Sequence, residues 1–108
     1  MTSGEVREMK DLVAYQEDAI VSRTIVETDG GTVTAFAFDD GQGLSEHTAA
    51  YDAMVIVIEG SVDIQISGNV FRLKEGQVII LPAHKPHAVK ALTRFKMLLV
   101  MLRVRDRK

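Results

Sequence analysis

Short runs of apolar and β-branched residues, separated by breaks that contain glycine, follow one another along the chain from Ile20 onward. The runs recur about every eight to twelve residues, which is the spacing of strands in a β-sandwich or barrel. No long stretch with helical periodicity competes with this pattern. The predicted strands are 20–27, 32–38, 53–58, 62–67, 70–73, 77–81, 87–92 and 95–104. We therefore predict an all-β fold.

The faces of these strands differ in polarity. Val62, Ile64 and Ile66 alternate with polar residues, which is typical of a strand with one dry face and one wet face. The segments 53–58 and 97–102 are apolar on both faces, so both of their faces must be covered. A small two-sheet sandwich covers only one side of each sheet. The pattern therefore predicts a second subunit, and we expect a homodimer.

The length of 108 residues allows one domain, which we place at 20–105. Residues 1–19 are interpreted as a partly ordered N-terminal arm. The first ten residues have no clear periodicity, whereas 12–14 are apolar and able to pack.

Charge and composition exclude several partners and site types. Thirteen Lys and Arg against fifteen Asp and Glu give a net charge of −2, which does not favour nucleic acid as a partner. The absence of cysteine excludes disulfides, thiolate metal sites and cysteine nucleophiles. The longest apolar run, 97–102, has six residues, far fewer than the roughly 18 to 20 that span a bilayer. No export signal is visible near the acidic N-terminus, so we expect a cytoplasmic protein without a membrane partner.

The three histidines, at positions 47, 84 and 87, lie in a recognisable arrangement of glycine and proline. This arrangement resembles the two sequence motifs of the cupin superfamily. Six of the ten specified motif positions match: Gly41, His47, Gly60, Gly76, Pro82 and His87. The other four positions differ from the motifs. The second histidine is replaced by Ala49, the glutamate by Ala53, the glycine by His84 and the asparagine by Ala91. The resemblance covers 41–91 and implies a jelly-roll sandwich or small barrel.

The resemblance also implies a site inside the barrel, where cupins hold an iron, manganese, nickel or zinc ion with three histidines and one glutamate. His47 and His87 correspond to two of these ligands, and neutral imidazole suits such metals. Ala49 and Ala53 cannot ligate a metal, and one replacement would be His84 as a third nitrogen ligand. Asp52 or Glu46 could replace the carboxylate, but they face away from the odd-numbered positions unless a bulge intervenes.

The remaining pocket residues follow from strand alternation. If 47–53 forms one strand, then Ala49, Tyr51 and Ala53 share the face of His47 and form a small, largely apolar wall. Phe36 and Phe38 could line the same pocket, although aromatics at strand spacing are more often part of the core. The two motifs predict that His47 and His87 face one cavity.

Three functions remain open at this stage. We favour small-molecule binding in a partly apolar cavity that contains His47 and His87, which would contact each other, a water or a ligand. A metal-dependent oxygenase, isomerase or decarboxylase that uses His47, His87 and possibly His84 is the enzymatic alternative. A structural dimer module with a filled pocket is the third. No nucleophile motif or phosphate-binding loop supports a hydrolase or nucleotide-binding protein.

Overall fold

Two antiparallel sheets pack face to face in the computed structural model, which describes residues 1–104. Within these 104 residues, one 3₁₀ turn, Met9–Asp11, precedes nine strands. The strands are β1 (Ile20–Thr28), β2 (Gly31–Phe38), β3 (Gly43–His47), β4 (Tyr51–Glu59), β5 (Ser61–Ile66), β6 (Asn69–Lys74), β7 (Val78–Leu81), β8 (His87–Ala91) and β9 (Phe95–Arg103). No helix within residues 1–104 is long and apolar enough to cross a membrane. The predicted all-β fold is confirmed.

The strand order is β1-β2-β9-β4-β7 in the five-stranded sheet and β3-β8-β5-β6 in the other. Every run predicted to be a strand contributes one, but β3 was missed. This edge strand contains one apolar residue, Leu44, among polar and glycine positions, so it lacks the alternation that reveals β5. Its hydrogen bonds to β8 hold it in place instead. Arg105, the last residue of the predicted domain, lies outside the described residues.

The expectation of one strand over 47–53 is wrong. β3 ends at His47, residues 48–50 form a connection, and β4 begins at Tyr51. His47 and Tyr51 consequently belong to different sheets, so simple alternation cannot relate their side chains.

The main core lies between the two sheets. β4 contributes alternate residues, including Val55 and Val57, and β5 contributes Val62 and Ile64 from the opposite sheet. All four are almost completely inaccessible to solvent. The alternation seen in β5 therefore places its apolar residues in the core, as predicted.

The N-terminal arm packs on the outer face of the five-stranded sheet. Leu12 and Val13 are buried against Ala35 and Ala37 of β2, with Leu98 of β9 at the edge of the cluster. Small alanine side chains on β2 leave room for the arm to approach the sheet. This second apolar cluster covers the β2 side of the sheet.

Polar contacts around Tyr15 hold the arm in place. The Tyr15 hydroxyl donates to Glu59 Oε2 at 3.2 Å, and the amine of buried Lys96 lies 4.8 Å from the centre of the Tyr15 ring. Lys96 also donates to the carbonyl oxygen of Lys10. Burial, together with the nearby Glu59 carboxylate, raises the pKa of Tyr15 to about 12. The hydroxyl thus remains a donor throughout the neutral range.

The Asp39 carboxylate, directly after β2, forms a second link between the N-terminal arm and the sheet. It accepts a hydrogen bond from the backbone N–H of Asp18 in the arm at 2.7 Å. It also accepts hydrogen bonds from Arg94 Nε at 2.7 Å and from the backbone N–H of Asp40 at 2.9 Å. Arg94 first, and then these backbone donors, lower the pKa of Asp39 from 3.8 to about 2. Because the folded-state value lies below the unfolded one, Asp39 stabilises the fold above about pH 4. This contribution is lost as the pH falls towards 2.

We therefore expect Asp39→Asn to lower the free energy of unfolding at pH 7. The difference in unfolding free energy between this variant and the wild type should shrink as the pH falls from about 4 to about 2. Urea unfolding at a series of pH values measures this difference. Asp40→Asn, at the adjacent exposed position, is the control and should follow the wild-type curve. A constant difference between Asp39→Asn and the wild type over this range would contradict the assignment.

Candidate functional site

A cavity of about 60 Å³ lies between the two sheets. Two imidazoles, of His47 and His87, and nine apolar side chains line it. The apolar wall includes Ala49 and Ala53, at the two positions where the cupin motif has ligands, and Met101 from β9. The cavity is therefore small and almost wholly apolar apart from the two histidines.

Strand pairing brings the two histidines together. His47, at the end of β3, is the register partner of His87, at the start of β8. Directly opposed residues on antiparallel strands project from the same face, so both rings reach the same cavity. Their ring centres are 4.3 Å apart and their planes meet at 68°. The prediction that these two imidazoles face one cavity is confirmed.

Backbone carbonyl groups orient both rings. Nδ1 of His47 lies 2.8 Å from the carbonyl oxygen of Ser45, and Nδ1 of His87 lies 3.3 Å from that of Lys85. A carbonyl oxygen can only accept a hydrogen bond, so Nδ1 carries the proton in each neutral ring. Nε2 is then the acceptor atom of both histidines.

The environments of the two rings differ. His87 is buried, whereas His47 is exposed at the edge of the cavity. Burial lowers the pKa of His87, and the proximity of His47 lowers it further, although the hydrogen bond to the Lys85 carbonyl opposes the shift. His87 is therefore neutral at pH 7, and its Nε2 can accept a hydrogen bond.

The donor set does not fit a resident divalent ion. Within residues 1–104, no three His, Cys, Asp or Glu side chains are grouped so that they could hold a metal. His84 is exposed in the turn before β8, where its backbone N–H donates to the Ala49 carbonyl. The Asp52 carboxylate accepts a hydrogen bond from the N–H of Ala83, and Glu46 is exposed. Two imidazoles fall short of the three protein ligands typical of a catalytic zinc site.

The predicted aromatic residues lie outside this cavity. Phe38 is fully buried and stacks on Phe95, with ring centres 4.6 Å apart, and Phe36 packs against the same core. Tyr51 lines a neighbouring pocket of about 270 Å³, which also contains Met101. Met101 therefore lies between the inner cavity and this outer pocket, since it lines both.

Sequence reasoning missed most of the apolar wall. Leu81 on β7 is the register partner of Ala53, and Leu99 on β9 is the register partner of Val55. Because directly opposed residues share a face, Leu81 and Leu99 line the cavity beside Ala53 and Val55. The sequence runs that form β4, β7 and β9 are apolar at successive positions, so they do not reveal which face points inward. The assignment of the inward face required the strand order.

The comparisons with known proteins agree with this architecture. The sequence profile of the cupin domain matches residues 35–102. A conserved protein of unknown function from Streptococcus pyogenes is 34% identical, with a TM-score of 0.91 over 98% of this chain and 93% of that one. A search of curated proteins gave no match.

Two further solved structures are similar to this chain. A cupin superfamily protein from Desulfitobacterium hafniense is 26% identical, with a TM-score of 0.87 over 96% of this chain and 94% of that one. A cupin 2 conserved barrel domain protein from Leptotrichia buccalis is 37% identical, with a TM-score of 0.84, over 87% of this chain and 46% of that one. With the profile match and the paired motif histidines, these likenesses show that the chain belongs to the cupin superfamily.

Proposed function

We propose that the protein binds a small, largely apolar molecule that carries a hydrogen-bond donor. The observation that supports this proposal is the pair of Nε2 acceptors at the edge of an otherwise apolar cavity. The apolar wall favours a hydrocarbon body, and the imidazoles favour a hydroxyl or N–H group. Such a division between apolar walls and a few oriented polar groups is typical of small-molecule sites.

The size of the cavity limits the ligand. A water molecule needs about 10–15 Å³ of such space, so 60 Å³ corresponds to only a few non-hydrogen atoms. Isobutanol is a suitable probe because it combines a short branched hydrocarbon with one hydroxyl. Diethyl ether has the same atomic composition but no donor, and it serves as the matched control compound.

We expect isobutanol to perturb the backbone NMR resonances of Ala49, Ala53 and His87 in a titration at pH 7. Diethyl ether should bind about fivefold more weakly, because one neutral hydrogen bond contributes about 1 kcal/mol. His87→Ala should reduce the preference for the alcohol, and the double variant His47→Ala/His87→Ala should abolish it, because no Nε2 acceptor then remains at the cavity. His84→Ala removes a histidine outside the cavity and should leave the titration unchanged.

The same titration has a defined pH dependence. Protonation of Nε2 turns the His87 acceptor into a donor, and the oxygen atoms of isobutanol and of diethyl ether can both accept its hydrogen bond. The preference for isobutanol over diethyl ether should therefore shrink in acid. Because the pKa of His87 is held below 6.5, most of this loss of preference should occur below that pH. Equal binding of alcohol and ether at pH 7, or the absence of any perturbation at the cavity, would contradict the proposed function.

A further inference from the structure

The outer pocket, of about 270 Å³, lies directly beyond Met101, which also lines the inner cavity. Met101 is the register partner of Thr32 on β2 and of Ala53 on β4, and Thr32 is in turn the partner of Glu27 on β1. Directly opposed residues share a face of the sheet. Thr32 and Glu27 therefore project towards the same side as the residues of the inner cavity.

The next row of residues along the strands completes the outer pocket. Arg103 lies two residues beyond Met101 on β9, and it is the register partner of Tyr51 on β4, so both share the inward face. Two residues along a strand span about 7 Å. The side chain of Met101 is unbranched and flexible, so it can turn aside without a change in the backbone. One small molecule can therefore contact both the outer pocket and the inner cavity.

The inward face changes from apolar to charged towards the outer pocket. Leu99 and Val55 belong to the apolar wall of the inner cavity. The outer pocket contains the guanidinium group of Arg103 and the carboxylates of Glu27 and Asp29. The two pockets together thus provide an apolar inner part and an outer part with charges of both signs.

The charges of the outer pocket do not neutralise one another. Within residues 1–104, none of the ion pairs involves Arg103, Glu27 or Asp29. Arg94 and Asp39, by contrast, form an ion pair at 2.7 Å. Opposite charges that line one pocket without pairing can each bind a complementary group of a ligand.

We infer that the outer pocket binds the charged head of a small α-amino acid, while the short side chain of that amino acid enters the inner cavity. Arg103 binds the carboxylate, because a guanidinium group can donate two parallel hydrogen bonds to it. Glu27, on the inward face, binds the ammonium group. This inference rests on the proposed function, because it takes the inner cavity as the site of the apolar part of the ligand.

The balance of charge favours a zwitterion over a simple acid or amine. A lone carboxylate would lie near Glu27 and Asp29, and a lone ammonium group near Arg103, so either would meet a like charge. The inner cavity, of about 60 Å³, limits the side chain to a few non-hydrogen atoms. A hydroxyl on that side chain could donate to Nε2 of a histidine. L-Threonine combines these groups and is the probe.

Titration of the full chain with L-threonine at pH 7, followed by backbone NMR resonances, tests this inference. Resonances of Thr32 and Tyr51 in the outer pocket should shift together with that of Ala53 in the inner cavity. Arg103→Gln and Glu27→Gln should each weaken binding about threefold, because each leaves one charge of the ligand without its partner.

Two matched variants and one matched compound serve as controls. Lys90→Gln and Glu75→Gln each remove a charge at an exposed position outside both pockets, so they should leave the affinity for L-threonine unchanged. L-Threonine methyl ester keeps the ammonium group but lacks the carboxylate. It should bind the wild type more weakly than L-threonine does, and Arg103→Gln should not weaken its binding further. Circular dichroism melting verifies that the variants are folded, and Arg103 and Glu27 are both exposed positions.

Isobutanol separates failure of this inference from failure of the proposed function, because it has no charged group. If isobutanol binds but L-threonine does not shift the resonances of Thr32 and Tyr51, the inference is wrong and the proposed function stands. The same conclusion follows if Arg103→Gln and Glu27→Gln bind L-threonine as tightly as the wild type. If isobutanol does not bind, the proposed function is wrong, and this inference falls with it.

Discussion

Replacing Gly60 with alanine should lower the free energy of unfolding by about 4 kcal/mol, whereas the same change at Gly76 should cost about 1 kcal/mol. Both glycines have a positive φ, +82° and +83°. A β-carbon strains the backbone at either position. The two glycines differ in what that β-carbon would meet.

At Gly60 an added β-carbon would overlap the carbonyl oxygen of Arg94 and lie 2.7 Å from Cβ of Phe95. Since Phe95 is fully buried in the core, the neighbouring backbone cannot move away without disturbing the core. At Gly76 no atom lies within 4 Å, so only the backbone strain remains. Urea unfolding of the two alanine variants measures both costs, and equal losses would contradict the close approach at Gly60.

Replacing Phe38 with alanine should cost about 3–5 kcal/mol of folding free energy. The ring is fully buried and stacks on Phe95, with Phe36 6.0 Å away, so its removal leaves a cavity in a close-packed core. Thermal and urea unfolding would measure the loss. Because Phe38 does not line the cavity with the histidines, the folded variant should still bind isobutanol.

Phe71→Ala is the control for this experiment. Phe71 is 43% exposed on β6, and its removal should cost less than about 1 kcal/mol. If Phe38→Ala were as stable as Phe71→Ala but failed to bind isobutanol, the ring would belong to the binding site rather than the core.

Strand positions were predictable because buried strand faces leave apolar residues in the sequence, as continuous runs in β4 and β9 and with a period of two where one face is wet. β5 has this period clearly, with Val62 and Ile64 buried. β3 does not, because it is an exposed edge strand held by its hydrogen bonds to β8. Sequence alternation reports burial rather than hydrogen bonding, so a polar edge strand is invisible to it.

The candidate site was predictable only in part, for a related reason. The motif spacing placed His47 and His87 together, and register pairing in the structure does the same. Tyr51 was assigned to the same wall by assuming an unbroken strand, but the connection at 48–50 transfers the chain to the other sheet. Leu81 and Leu99 line the cavity because β7 and β9 are the neighbours of β4 in the sheet. This pairing joins residues that are far apart in the sequence, so local sequence patterns do not reveal it.

The alternation in β9 also limits which changes in chain length the protein can accept. Leu99 and Met101 line the cavity, while the residues that alternate with them, Val100 and Leu102, lie on the outer face of the five-stranded sheet. An insertion or deletion of one codon within β9 would exchange the two sets of side chains beyond that point. Both sets are apolar, so the sheet could still form, but with the wrong residues on each side. Substitutions can alter either surface separately, whereas a change in strand length alters both at once.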